Sequence, residues 1–350
     1  MGKISSGKDK PSDGDFILYG STGIIGKCEH PTYKGRKILI ARVGANAGFA
    51  NLVNEECGVS DNTLIIKDSE SCILNWLFFS IIQKNLGKMR FGSGQPLVTG
   101  TMLYNLALKV PSLPEQQKIA DFLTTYDTMI NTQTKRVETM KTRKKGLLQK
   151  IFSQKIRFKD EQGQDYPAWK AETLCKCCTI NPPSPKLPNT FIYIDLESVK
   201  QGRLLAKKIV LAKDAPSRAQ RKVIVGDVLF QTVRPYQKNN FIVKTPETIP
   251  MIASTGYSVL RCNKNNSGYI YHETQTEKFS RNVQDRCTGG AYPAITGKEL
   301  GKIKIPLPSL PEQQKIADFF NAVDKQIEVE EKRLETMKNI KKGLLQQMFI

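Results

Sequence analysis

The 350 residues carry 53 Lys and Arg against 33 Asp and Glu, a formal net charge of +20 and a pI near 9.5. An excess of that size points to a polyanion, with nucleic acid the leading candidate. Apolar residues make up 39% of the chain, enough for ordinary cores. The longest apolar run, 72–82, is too short for a membrane-spanning helix. Eight scattered cysteines and an opening that alternates Gly, Lys, Ser and Asp predict a cytoplasmic protein with no membrane partner.

In chain order, residues 1–110 read as a first unit. Segments 14–20 and 37–44 have the pattern of short strands ending in glycine turns, and 62–66 is another strand. The run around Trp76 reads as a buried helix. A polar glycine loop, 92–100, then feeds a predicted strand over 106–110. Residues 111–152 form one long helix, with Ser112 as N-cap, Glu115 three residues on, and Pro114 in the first turn. Residues 153–168 are a polar, charged linker and 169–307 a second unit. Residues 308–350 are a second long helix, opened in the same way by Ser309, Pro311 and Glu312.

The two helices are a duplication. The twelve residues from Pro111 return unchanged from Pro308, and at that offset of 308 − 111 = 197 about two thirds of positions 111–152 match their partners. The glycine loop 289–297 matches 92–100 at the same offset, so the repeat covers the units as well. Ile119, Leu123, Tyr126, Ile130, Gln133, Val137, Met140, Lys144, Leu147 and Ile151 step by four and three, a heptad seam. The second copy gives Ile316, Phe320, Val323, Ile327, Glu330, Leu334, Met337, Lys341, Leu344 and Met348. Two such seams predict helices that pack on each other. A helix of this length spans roughly 55–60 Å, whereas the segment between the helices makes a globule of only ~15 Å radius of gyration. An antiparallel pair lets that globule enter and leave near one end, and antiparallel is the expectation.

The twin openings over 110–120 and 307–317, the twin Lys-Lys-Gly-Leu-Leu-Gln closings (144–149, 341–346) and the linker residues Arg157, Phe158, Lys159, Tyr166, Pro167, Ala168 and Trp169 resemble the specificity subunit of a type I restriction–modification enzyme. The resemblance extends over nearly the whole chain. It implies a duplicated α/β fold: two mixed α+β target-recognition domains separated by two long helices in an antiparallel coiled coil, with pseudo-twofold organisation. It implies that each domain reads half of a bipartite site in double-stranded DNA. It also places catalysis, with S-adenosylmethionine, ATP and magnesium, on partner methylation and restriction (nuclease/translocase) subunits, leaving this chain without cofactors or enzymatic activity. The pseudo-twofold relation predicts docking places for two methylation subunits. One departure is that the lead-in 166–174 of the second unit has no counterpart before the first, which predicts a first unit without its opening strand. A truncated or reservoir copy with impaired assembly is therefore a second reading, and a stand-alone methyltransferase or nuclease a third.

Candidates for DNA contact lie where strands hand over to loops, since Lys and Arg meet phosphates while Arg, Asn and Gln read base edges. They are Lys8, Arg42, Asn46, Lys88, Arg90 and Gln95 in the first unit, and Arg234, Tyr236, Gln237, Lys238, Arg286 and Tyr292 in the second. Other motifs read as structural. Asn181-Pro182-Pro183-Ser184 lacks the aromatic of an amino-methyltransferase turn. Residues 20–27 miss the phosphate-loop spacing and read as a turn. Cys175, Cys177 and Cys178 lack a converging second pair for zinc. His30 and His272 are surface or packing residues.

Overall fold

The computed structural model describes residues 4–90, 96–184 and 186–349. It divides into two compact units, Met1–Arg136 with Glu330–Ile350, and Val137–Val329. Each unit holds one mixed α+β globule and part of both long helices. Among the described residues no helix is long and apolar enough to cross a membrane.

In the first unit β1 (Ile4–Ser6), β2 (Phe16–Gly20), β3 (Gly23–Cys28), β4 (Lys37–Ala41), β5 (Ala50–Val53), β6 (Cys57–Val59) and β7 (Thr63–Lys67) make two sheets. One has the order β1-β7-β4-β5, the other β3-β2-β6. The central strands β4 and β7 are continuous apolar runs because both their faces are covered. Ile38, Ile40, Leu64 and Ile66 pack against Trp76, Leu77 and Ile81 of α1 (Leu74–Lys84), while Leu39 and Ile65 join a cluster with Val53, Cys57 and Val59. A short helix, α2 (Gly100–Tyr104), is capped by Thr99, whose Oγ1 accepts the Met102 N–H at 3.2 Å. The first long helix, α3, runs from Leu113 to Phe152.

The expected strand over 106–110 does not form; no ladder is made on it among the described residues. The second unit supplies the reason. There β8 (Lys170–Thr173) pairs antiparallel with β19 (Lys304–Leu307), the counterpart of 107–110 at the offset of 197. A strand needs a partner for its N–H and C=O groups, and among the described residues none lies beside 107–110.

The second unit continues with α4 (Leu174–Cys177), β9 (Thr179–Ile180), β10 (Thr190–Ile194), β11 (Val199–Lys200), β12 (Arg203–Leu204), β13 (Lys208–Leu211), β14 (Ala219–Val223), β15 (Val228–Gln231), β16 (Phe241–Ile242), β17 (Met251–Ser254) and β18 (Tyr257–Arg261). Helices α5 (Ser267–Glu273), α6 (Glu277–Gln284) and α7 (Gly297–Gly301) precede β19, and the second long helix, α8, spans Leu310–Met348. The two larger sheets run β13-β10-β17-β14 and β16-β15-β18-β9. Val228, Phe230 and Leu260 join Tyr269, Ile270, Phe279 and Ile295 in a core that also takes Leu148, Ile151, Ile316 and Phe320 from the long helices.

The long helices pair with each other and antiparallel, as expected. In the second unit Lys144 of α3 is ion-paired with Asp324 of α8. In the first unit Lys341 of α8 is ion-paired with Asp127 of α3. The two pairs exchange under the repeat, since 144 + 197 = 341 and 127 + 197 = 324. Gln133 meets its own counterpart: its Nε2 donates to Glu330 Oε2 at 2.7 Å and to Glu330 O at 3.0 Å. Both polar interruptions of the seam are thus satisfied inside it. Every apolar seam residue is buried or half-buried, Ile119, Leu123, Tyr126, Ile130, Val137, Met140, Leu147 and Ile151 on α3 and Ile316, Phe320, Val323, Ile327, Leu334, Met337, Leu344 and Met348 on α8.

The opening of α8 differs from the expected capping box. At the start of α8, Ser309 Oγ is buried without a hydrogen-bond partner among the described residues, and Glu312 is held by Arg157 and Trp169 instead of reaching back to the cap. Gln116 and Gln313 tie the helix starts down. Gln116 Nε2 donates to Pro111 O and its Oε1 accepts the Ile73 N–H, both at 2.9 Å. Gln313 repeats this with Pro308 O and the Asn266 N–H, again at 2.9 Å. Each amide side chain fastens α1 or α5 to the start of a long helix.

Candidate nucleic-acid interface

Five of the six first-unit candidates come together at one end of the sheet β1-β7-β4-β5. Lys8 follows Gly7, whose N–H bonds Thr63 O at 3.1 Å, and Arg42 bonds Asn62 O at 2.9 Å, so both chains leave the sheet beside the start of β7. The loop after β4 turns on Gly44 and Gly48, both at positive φ. It is closed by Gly48 N–H to Ala41 O at 2.8 Å and carries Asn46 on its exposed side. Segment 86–88 comes so close to Gly48 that a Cβ there would lie 2.6 Å from Gly87 N. That contact brings Lys88 and Arg90 to the loop, and Arg90 Nη1 donates to Ala45 O at 3.0 Å. Phe49, 62% exposed, stands in the same loop. It is an exposed ring that charge-based reading missed, and its sequence signal was an aromatic directly after a turn glycine. Gln95 lies outside the described residues.

The loop after β4 is stitched to the glycine loop by a single bridge, Val43 with Leu97, flanked by Gly44 N–H to Pro96 O and Val98 N–H to Arg42 O. The second unit rebuilds this unit bond for bond. Val233 bridges Ala294, Arg234 N–H bonds Pro293 O at 2.8 Å, and Ile295 N–H bonds Thr232 O at 3.0 Å. Arg234 thus occupies the place of Gly44, and it too has positive φ (51°). A left-handed backbone costs a non-glycine residue of order 1 kcal/mol or more, so something must hold Arg234 there. Its guanidinium lies 4.3 Å from the centre of the Tyr292 ring, a cation–π contact from the opposite side of the bridge. Its Nε is buried and has no hydrogen-bond partner among the described residues.

The remaining second-unit candidates divide by what they touch. Tyr236 and Tyr292 are exposed, at 51% and 65%. Gln237 is exposed, but its Oε1 accepts from Gln231 Nε2 at 2.8 Å. Lys238 is ion-paired with Glu277 at 3.1 Å, and the hydrogen bonds from Lys145 and Lys238 hold the Glu277 carboxyl below its ordinary range. Arg286 is exposed on the C-terminal side of α6, with Nη1 donating to Asn282 O at 2.9 Å. Arg234, Tyr236 and Tyr292 are therefore the group best placed to meet a ligand. Lys144 and Lys145 of the basic stretch on α3 are spent inside the second unit, on Asp324 and Glu277.

The structural readings of the other motifs have physical grounds. Gly20 pairs with Gly23, so 20–27 is the hairpin between β2 and β3. Asn181 exchanges backbone and side-chain bonds with Val259, its N–H to Val259 O at 2.8 Å and its Oδ1 from Val259 N–H at 3.0 Å. Cys177 and Cys178 are buried in the core, and burial pushes the Cys177 thiol up to about 11. Among the described residues no group of three or more His, Cys, Asp or Glu could hold a metal ion. His272 is buried between Tyr271 and Phe320, each ring 5.1 Å away, and burial drives its imidazole well below the ordinary value.

Comparison with known proteins adds to this geometry. The family model described as "type I restriction modification DNA specificity domain" matches residues 1–141 and 148–339. The chain is 25% identical over 328 residues to the type I restriction enzyme MjaVIII specificity subunit of Methanocaldococcus jannaschii, covering 88% of this chain and 77% of that one. It is 24% identical over 316 residues to the putative MjaX specificity subunit of the same organism, covering 81% and 69%. Its fold is similar to the crystal structure of a type I system S subunit from M. genitalium, with a TM-score of 0.65 at 15% identity over 99% of this chain and 93% of that one.

Proposed function

The chain belongs to the type I restriction modification DNA specificity family, and from that membership we propose that its two units read the two halves of a bipartite site in double-stranded DNA. It is a specificity subunit, which recognises DNA sequence and leaves the chemistry to other polypeptides. The observation that carries the two-headed reading is the duplicated stitch, Val43–Leu97 and Val233–Ala294. One backbone frame presents Gly44, Asn46 and Arg90 in the first unit and Arg234, Tyr236 and Tyr292 in the second. The same frame with different side chains is what two reading heads for different half-sites require, since groove readout depends on side-chain donors and acceptors. The net charge of +20 supports the phosphate contacts that set register.

The mated helices α3 and α8 act in this reading as a ruler that fixes the unread gap between half-sites. The repeated helix surfaces offer equivalent docking places for two methylation subunits, with restriction subunits as further partners. Those partners carry S-adenosylmethionine, ATP and magnesium, and the assembly works in the cytoplasm. Inserting or deleting one heptad in both helices is expected to change the gap and leave both half-site sequences as they were. Methylation mapping in cells with and without the subunit reads both quantities; altered half-sites with an unaltered gap would overturn the ruler.

A further inference from the structure

The second unit fixes one of its candidate reading residues from beneath. Gln231, the last residue of β15, is only 1% exposed. Its Nε2 donates to Val233 O at 2.8 Å, and its Oε1 accepts the Asn239 N–H at 3.2 Å. A backbone carbonyl can only accept and a backbone N–H can only donate, so these two groups leave the Gln231 amide a single orientation. The same Nε2 meets Gln237 at 2.8 Å. The atom of Gln237 that faces this donor is therefore its Oε1, and the Gln237 amide is oriented in turn. Gln237 is exposed, and its own Nε2 has no acceptor among the described residues.

The turn that carries Gln237 is held at both ends. Pro235–Gln237 is one turn of 3-10 helix between Arg234 and Lys238, both at positive φ. Lys238 is ion-paired with Glu277, and Asn239 Oδ1 accepts the Gln201 N–H at 3.1 Å. Asn240 is buried; its Oδ1 accepts the Gln231 N–H at 2.9 Å and its Nδ2 donates to Thr274 Oγ1 at 3.2 Å. The first unit has a hairpin of the same length. Ile38 pairs with Leu52 as Val228 pairs with Ile242, an offset of 228 − 38 = 190. At that offset Ala41 stands for Gln231 and Ala47 for Gln237. Neither alanine can form such a bond, so the lock belongs to the second unit and not to the shared frame.

We propose that Gln237 determines specificity at one position of the second half-site, that Gln231 sets it to present a hydrogen-bond donor, and that the base it selects carries a keto oxygen on its major-groove edge, guanine or thymine. Guanine O6 and N7 and thymine O4 accept hydrogen bonds there, whereas cytosine N4 and adenine N6 donate them. The two-point grip of a glutamine on adenine needs Oε1 and Nε2 side by side on the base, and the Oε1 of Gln237 is turned to Gln231. A buried amide thus decides what an exposed one can read. The inference rests on the half-site reading and adds to it the class of base at one position and the residue that sets it.

The test is methylation mapping in cells carrying the full-length chain with its methylation subunit, parent against variants. Gln237→Glu keeps one oxygen for Gln231 Nε2 and turns a second oxygen outward, and at an exposed position it should fold. One position of the second half-site is expected to change from G or T to A or C, by roughly 5-fold or more in relative methylation, with the first half-site and the gap unchanged. Gln231→Met removes the lock, and the same position should then accept all four bases. Adding Gln237→Lys, a donor in every orientation, should restore the keto preference, which a merely structural loss would not allow. Should Gln231→Met fail to fold, Gln237→Glu decides alone. Three results overturn the proposal: Gln237→Glu leaves every base preference as in the parent, the position it moves is A or C in the parent, or a folded Gln231→Met keeps the keto preference. Each of these leaves the half-site reading standing, whereas a parent whose methylated sequences contain no second half-site would overturn both.

Discussion

Glu312 and Glu115 are the same residue of the repeat in two settings, which makes them each other's control. Glu312→Ala removes the acceptor for two nitrogens of Arg157 and for the Trp169 indole, all held against a side chain with no solvent exposure. Removing one member of a buried, hydrogen-bonded ion pair costs roughly 3–5 kcal/mol, because the other charge stays desolvated. For a domain of this size each kcal/mol lowers Tm by roughly 2–4 °C, so the second unit should melt roughly 6–20 °C lower. Glu115→Ala removes an exposed side chain with no ion pair among the described residues and should fall within about 0.5 kcal/mol of the parent. Calorimetry of the two variants separates these cases. Adding Arg157→Met to Glu312→Ala should recover part of the loss, since no charge is then stranded. Equal effects at 115 and 312, or a Glu312→Ala shift within 1 °C, would refute the reasoning.

Three further outcomes follow from particular residues. Burial pushes the Glu273 carboxyl up to about 8. Its folded value lies above its unfolded one, so its contribution to stability is full below the unfolded value and is lost as pH rises towards 8; Glu273→Gln should therefore gain on the parent by a few kcal/mol over that window, read by urea unfolding at several pH values. Gly48→Ala, at positive φ with its new Cβ 2.6 Å from Gly87 N, should destabilise the first unit by more than about 2 kcal/mol. Gly44→Ala, also at positive φ but with nothing within 4 Å, should cost only about 1 kcal/mol. Arg234→Ala in the assembled DNA-binding complex should weaken binding by about 1–3 kcal/mol and relax one half-site only, whereas Lys88→Ala should weaken all sequences alike and lower the salt slope by about one.

Much of the architecture was legible because it is written as periodicity. The four-three spacing of apolar residues gave the mated helices, and the glycine turns gave β2, β4 and the loops after them. What failed were readings that depend on a distant partner. Residues 107–110 have the same apolar-before-proline pattern as β19, yet only β19 has β8 beside it. Ser309 and Glu312 have the spacing of a capping box, but Arg157, from the linker, claims the carboxylate. Nothing in local sequence marks Gln116 or Gln313 as the residues that fasten one helix to another; the signal was their identity in both copies, read as part of the repeat and not as chemistry. For the candidate interface, loop positions could be found from turns, but which of them stay free could not. The engagement of Lys238 by Glu277 and the stacking of Arg234 on Tyr292 bring together residues roughly forty and sixty positions apart in sequence.

The pattern of identity between the two helices has a physical explanation in the pairing itself. In an antiparallel pair of duplicated helices, a contact away from the midpoint is made twice, once by each assignment of the two sequences. Lys144 with Asp324 and Lys341 with Asp127 are such a contact, and one residue type at each repeat position serves both ion pairs, so both copies keep Lys and Asp. At the midpoint a residue meets its own repeat. Two glutamates there would set like charges against each other in a partly buried seam, which is unfavourable. At that position the copies differ: Gln133 donates to Glu330, whose other carboxylate oxygen accepts from Arg136 at 2.7 Å. Identity at the ion-paired positions 127/324 and 144/341 and difference at the midpoint therefore arise from one cause, which is that each helix has the other as its partner.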